Sequence, residues 1–220
     1  MELDENKIDN ALRFYMQAHK LKTVIRSGWK VWQIDIDRAE SIAEHIYGTM
    51  MLAIAIHSEF RQDIDIDKVI KMLAIHEMEE IRIGDITPFD KVTDEEKREM
   101  GKVAVKKLCD NIDLGFNYID VIEEFENQIT PESKFARMID KLEANIQSKI
   151  YDEQNAFDIT KEEVKDVISD ERIKGYMDDG LNHVSEFFVR NDQNKYDYMF
   201  KEISNYMLKQ NLLNLGKILD

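Results

Sequence analysis

The stretch LAIHEMEEIRIGDITPF, residues 73–89, sets an imidazole beside a carboxylate at His76-Glu77 and adds Glu80 one helical turn later. It then runs through Gly84-Asp85 into Thr87-Pro88. Written on a helix, Leu73, His76, Glu77 and Glu80 share one side, because positions three and four apart lie on one face. Val69, Ile70 and Leu73 lead into that side, so it is expected to be the buried one. A core tolerates charge mainly when the charge is paired or binds a metal. Taken alone, the segment fits a solvated acidic face with one hydrogen-bonded histidine as well as it fits a site, since structural ion pairs imitate sites.

Two further polar residues fall at core-facing positions on other expected helices. His45 shares a stripe with Ile42, Thr49, Leu52, Ala53 and Ile56, and Asp140 shares one with Ala136, Ile139, Glu143, Ala144 and Gln147. Each has a plainer account: a hydrogen-bonded core histidine for His45, and an ion pair with Lys141 or Arg137 for Asp140. Together His45, His76, Glu77 and Asp140 make two imidazoles and two carboxylates. That set suits one divalent transition metal with positions open to water and substrate, and manganese, cobalt, iron, nickel and zinc all accept it. Such an ion polarises a phosphoryl oxygen and lowers the pKa of water. Glu80, one turn past the ligand pair, is placed to move a proton.

Other metal signatures fail. HEMEE lacks the second histidine of HExxH, because Glu80 stands there. No Glu-x-x-His occurs, so a ferritin-like di-iron bundle lacks its ligands. Asp63, Asp65 and Asp67 imitate the start of a calcium loop, but Lys68 replaces its glycine and Ala74 its last glutamate. One of these aspartates is expected to cap the following helix.

The elements that must position these residues read as helices. Two prolines and eight glycines in 220 residues, with many Glu, Lys, Ile, Leu and Met residues, suit an all-helical protein. Helices are expected from about Glu5 to Lys22, from Ser41 with Glu44 as a capping box, from Thr93 with Glu96 as another, over Phe116–Asn127, and from Thr130-Pro131 onward. In the first, Ile8, Leu12, Tyr15, Met16 and His19 share a stripe. Val24–Asp37 lacks a helical period and reads as an ordered loop that holds Arg26 among apolar and aromatic residues; a surface arginine stacked on Trp29 or Trp32 would be its plain role. Thr160–Glu163 reads as a third capping box. It opens two C-terminal helices over about 161–190 and 195–216, broken near Gly175–Gly180 or Asn191. No linker or repeat interrupts the chain, so 1–220 is expected to be one all-α domain, with C-terminal helices over about 160–217 packing on a core at about 10–150.

The formal net charge of −15 repels nucleic-acid backbones and anionic membranes, so neither is an expected partner. The apolar run at 50–56 is far too short to cross a bilayer. A polar, acidic start and one cysteine, Cys109, suit a cytoplasmic protein without a disulfide framework.

In order, His45, His76-Glu77 and Asp140 resemble the H…HD…D signature of HD-domain metal-dependent phosphohydrolases. RSGW (26–29), ESIAEH (40–45), HEMEEIRIGDITP (76–88), EEFE (123–126) and KFARMIDKLE (134–143) are together similar to the 5′-deoxynucleotidase branch of that superfamily. The resemblance covers about residues 10–150. It implies a single helical bundle of the HD type, a homodimer, and hydrolysis of deoxynucleoside 5′-monophosphates to deoxynucleoside and phosphate. It gives Glu80 the acid/base role, brings Asp85 to the sugar, and makes Arg26 the phosphate grip. The paired residue of the family is normally aspartate; this chain has Glu77, whose extra methylene carries its oxygens further from the backbone. Two other readings compete: an HD phosphohydrolase acting on another nucleotide or small phosphate ester, and a non-catalytic helical binding protein with a structural metal.

Overall fold

The computed structural model describes residues 3–87 and 89–217, so Pro88 of the 76–88 motif lies outside the described residues. Among the described residues the regular structure is helical, with one isolated antiparallel bridge, Ile25 to Ser41. Among the described residues, no helix is long and apolar enough to cross a membrane. The chain forms two compact units: one holds the chain up to Ser27 and Glu40–Arg137, the other Gly28–Ala39 and the chain from Met138 on.

The first unit begins with α1 (Glu5–Ala18), continued by a 3-10 turn over His19–Lys22. Of the expected stripe, Ile8, Leu12, Tyr15 and Met16 are all exposed. The opposite side packs instead, where Phe14 stacks on Tyr118 and joins a cluster of Met78, Val105, Leu108, Cys109 and Ile122. The helix is amphipathic as expected, and the aromatic contact selects which side faces in. Helix α2 (Ser27–Val31) occupies part of the segment expected to be a loop.

Helix α3 (Ile42–Phe60) starts at the expected capping box, with the Glu44 amide donating to Ser41 Oγ and the Glu44 carboxylate accepting from the Ser41 amide. It buries Ile42, His45, Thr49, Ala53 and Ile56. Asp65 caps α4 (Ile66–Ile75) by accepting the Lys68 amide, so the false calcium loop resolves as a helix start. The helix expected through Glu80 breaks. α4 ends at Ile75, residues 76–79 form a tighter turn with Met78 N–H to Ile75 O and Glu80 N–H to Glu77 O, and α5 (Glu80–Ile83) follows. Helix α6 (Asp94–Cys109) has the expected Thr93–Glu96 box. Before α7 (Gly115–Asn127), a Cβ on Gly115 would lie 2.2 Å from the Cys109 carbonyl oxygen, so only glycine fits that turn.

Helix α8 (Pro131–Glu153) runs unbroken from the first unit into the second. In the second unit Trp29, Tyr151 and Ala156 form a core flanked by Phe157 and Phe188. The last turn of α8 holds later helices in place. Asp152 accepts the Val184 and Ser185 amides and Glu153 the Leu212 and Leu213 amides, each pair at the start of a later helix. The third capping box is absent. The Thr160 amide and hydroxyl both donate to Asp158 in a local turn, and two long helices give way to shorter ones: α9 (Lys165–Ser169), α10 (Glu171–Asp178), α11 (Val184–Asp192), α12 (Tyr198–Leu208) and α13 (Leu212–Leu215). Gly180, at φ 82°, makes the left-handed turn between α10 and α11.

Replacing Glu153 by alanine strips two amides at the start of α13 of their acceptor. The cost is expected to be about 1 kcal/mol, as for a lost helix cap. Amide exchange over 211–216 should rise while that of α3 and α4 stays unchanged.

Candidate functional site

The two histidines come from α3 and from the turn after α4, and both rings are buried, at 0% and 2% exposure. Their centroids are 5.5 Å apart. Glu77 joins them: its Oε1 is 3.4 Å from His76 Nε2 and 3.8 Å from His45 Nε2. His76 Nδ1 lies 2.8 Å from the Leu73 carbonyl oxygen. A carbonyl only accepts, so Nδ1 carries the proton and Nε2 turns a lone pair towards the Glu77 carboxylate. Two acceptors facing each other inside a protein need a cation between them, a proton or a metal ion. The ligand atoms of His45, His76 and Glu77 lie within 4.8 Å of one another, a span one ion bridges. The donor set therefore fits a metal.

Residues around these three fix the rings. Phe125, on α7, presents its ring to His76 at 5.2 Å between centroids, and the Arg137 guanidinium lies over the Phe125 ring, 4.1 Å from its centroid. Arg137 also pairs with Glu126 at 2.7 Å, and Glu124 pairs with Lys68 at 2.6 Å and accepts the Thr130 hydroxyl. The EEFE motif is thus one aromatic wall for His76 between two carboxylates that pin neighbouring elements.

Glu80 opens α5 and is buried at 6% exposure. Burial, then the nearby Glu77 and then Asp85 push its carboxyl up to about 11, against the opposing pull of Lys97 and Arg26. It is therefore a proton-bearing acid at neutral pH as long as Glu77 is not neutralised; a cation on Glu77 would remove much of the second push. Asp85 follows α5, and its Oδ2 accepts the Ser27 amide at 2.6 Å. That bond ties the Gly84-Asp85 turn to the segment bearing Arg26, whose guanidinium lies 3.9 Å from Glu40.

A model of the HD domain matches residues 18–178. The chain belongs to the HD-domain family. It is 31% identical to the 5′-deoxynucleotidase HDDC2 of Dictyostelium discoideum, over 67% of this chain and 80% of that one. It is 35% identical to the 5′-deoxynucleotidase HDDC2 of Danio rerio, over 66% of this chain and 72% of that one. Among solved structures, one described as a predicted metal-dependent phosphohydrolase from Magnetospirillum magnetotacticum aligns with a TM-score of 0.65 at 19% identity, covering 93% of this chain and 92% of the other. That likeness shows the fold.

This HD-domain chain brings His45, His76, Glu77 and Glu80 to one place in the first unit, with Arg26 and Asp85 joined to each other through adjoining backbone. Asp140 belongs to the second unit. It is buried on α8, with Oδ2 3.3 Å from Lys141 Nζ, the ion pair the sequence offered as its plain role. Three participants went unread in the sequence. Glu40 is buried beside Arg26, Lys97 reaches from α6 to donate to the Ile86 carbonyl at 2.9 Å, and Glu79 is pushed up to about 8 by burial and then by Glu77. Nothing in the local pattern marks Lys97, which sits in the polar run DEEKREM. Glu40 was visible only as the first letter of ESIAEH.

Truncating Phe125 to alanine should cost about 3–5 kcal/mol, as for other buried phenylalanines. Chemical denaturation reads that loss, and the His76 side-chain resonance should broaden as its wall is removed.

Proposed function

We propose that this protein is a metal-dependent phosphomonoester hydrolase, a 5′-deoxynucleotidase that converts deoxynucleoside 5′-monophosphates to deoxynucleoside and phosphate. The observation that carries the reading is the buried meeting of His45, His76 and Glu77 beside the proton-bearing Glu80. The names of the relatives supply the substrate class.

His45, His76 and Glu77 would hold one divalent transition metal, with Asp140 as the fourth ligand. Support for Asp140 is its burial and its place as the last aspartate of the H…HD…D order. The ion would polarise a phosphoryl oxygen and lower the pKa of water. Arg26 would bind phosphate oxygens through its planar fork, reversing locally the field of a strongly acidic chain. Glu80, whose burial still raises its carboxyl when a cation sits on Glu77, would hand a proton to the departing sugar oxygen. Asp85 would lie against the sugar, where the branch separates 2′-deoxyribose from ribose; the Ser27 amide fixes its carboxylate relative to the phosphate grip.

A homodimer in the cytoplasm belongs to the same reading. The exposed stripe Ile8, Leu12, Tyr15 and Met16 on α1 supports association, and the lone buried Cys109 suits a reducing compartment. Sedimentation at micromolar concentration would return a monomer mass if association is absent.

Phosphate release from paired deoxy- and ribonucleoside 5′-monophosphates, with the metal-stripped protein resupplied with manganese, cobalt or zinc in turn, tests the activity. Release should need metal and favour the deoxy series. Glu80→Gln should lose turnover by 100-fold or more, the usual scale of an acid/base group, while fold and bound metal persist. Asp85→Ala should narrow the gap between the two series. A folded, metal-loaded protein that releases nothing from any of these substrates would instead be a binding protein.

A further inference from the structure

Residues 24–27 lie antiparallel to residues 40–42. The Ile42 amide donates to Val24 O at 2.9 Å, the Arg26 amide donates to Glu40 O at 3.0 Å, and Ile25 bridges Ser41. This short pairing sets Arg26 and Glu40 side by side, and their side chains form a mostly buried ion pair at 3.9 Å. Glu40 faces a second group. A carboxylate oxygen of Glu40 and a ring nitrogen of His45 lie within 4.8 Å of each other. The carboxylate thus lies near both the guanidinium and the imidazole. Ser41, the next residue, caps the helix on which His45 rides, so the distance from Glu40 to His45 is fixed by one turn of hydrogen-bonded backbone.

A buried carboxylate is costly unless compensated, and this one is held 8% exposed in a chain with 45 acidic and 30 basic residues. A surface role does not account for that burial, and Glu44, not Glu40, makes the capping box. His45 Nε2 is turned towards Glu77. With Nε2 on the Glu77 side, a carboxylate on the other side of the ring would meet Nδ1. An imidazole that donates Nδ1–H to a carboxylate is held in one tautomer, with a more basic Nε2.

We propose that Glu40 is a positioning residue: it accepts the Nδ1 proton of His45, fixing that ring as a metal ligand, while Arg26 balances its charge. One carboxylate then joins the phosphate grip to the metal centre. This rests on the metal-site reading above, and it concerns how tightly the ion is held rather than which ester is cleaved.

The test is metal affinity, measured directly on the full chain by competition between the protein and a chromogenic chelator for zinc and for cobalt. Glu40→Gln keeps the size of the side chain and removes its charge; the dissociation constant should rise about tenfold or more, the usual cost of losing an outer-sphere partner. Glu40→Asp keeps the charge and should recover part of that loss. The absorption bands of the bound cobalt should shift in the glutamine variant, because His45 is freed to turn. Equal metal affinity in wild type and Glu40→Gln overturns the proposal. So does a lower melting temperature of the metal-free glutamine variant without a change in affinity, which would mark a purely structural role. Should the glutamine variant fail to fold, Glu40→Asp decides alone: wild-type affinity with an unshifted cobalt spectrum overturns the proposal, and weaker binding with a shifted spectrum supports it. A wild-type protein that binds neither ion would instead overturn the metal-site reading itself.

Discussion

The structure depends on keeping charge inside a helical core. His45 and His76 are buried, Glu80 nearly so, and Glu77 points one oxygen at both imidazoles. Any one of these groups alone would shed its charge or its burial; together they persist because each faces a partner. The Leu73 carbonyl fixes the proton of His76, the Phe125 ring excludes water from one side of it, and Arg26 with Lys97 tempers the negative field at Glu80. The chain is strongly acidic, so the partly buried cations Arg26 and Lys97 carry weight here.

The backbone is shaped to the same end. A regular helix through 73–80 would put His76, Glu77 and Glu80 on one face and leave Glu79 outside. The tighter turn over 76–79 draws Glu79 inward too, where burial and Glu77 push it up to about 8. Crowding three carboxyl groups into one turn of chain is unfavourable in a neutral core. It is intelligible as a negative pocket built for a cation, with the buried Glu80 at its margin. The break also frees Gly84-Asp85 to turn back to Ser27, which a straight helix would carry away from it.

What was legible in the sequence was local. Ser41 with Glu44 and Thr93 with Glu96 are contained within four residues each, so their hydrogen bonds could be written from the string. The buried stripe of α3 follows from periodicity alone. What was illegible depended on partners far along the chain. The Arg26–Glu40 pair needs the backbone pairing of 24–27 with 40–42, Lys97 matters only because α6 brings it to Ile86, and the inward side of α1 is decided by Tyr118, about a hundred residues away. Thr160 shows the opposite failure: a capping signature lost to a competitor two residues off, because Asp158 offers its carboxylate first. The five motifs marked the neighbourhood of the site, while the bonds that fix its angles were tertiary.

The same distinction bears on Glu77, where the family's usual residue is aspartate. On a regular helix an extra methylene would carry the carboxylate past the imidazoles. Here Glu77 stands not on α4 but in the turn that follows it, and its side chain is directed back so that Oε1 lies 3.4 Å from His76 Nε2 and 3.8 Å from His45 Nε2. The near equality of those two distances means that the longer arm still places one oxygen between the two rings. A glutamate in this position is thus compatible with the same donor set, because the tight turn absorbs the added length that a continuous helix would have projected outward.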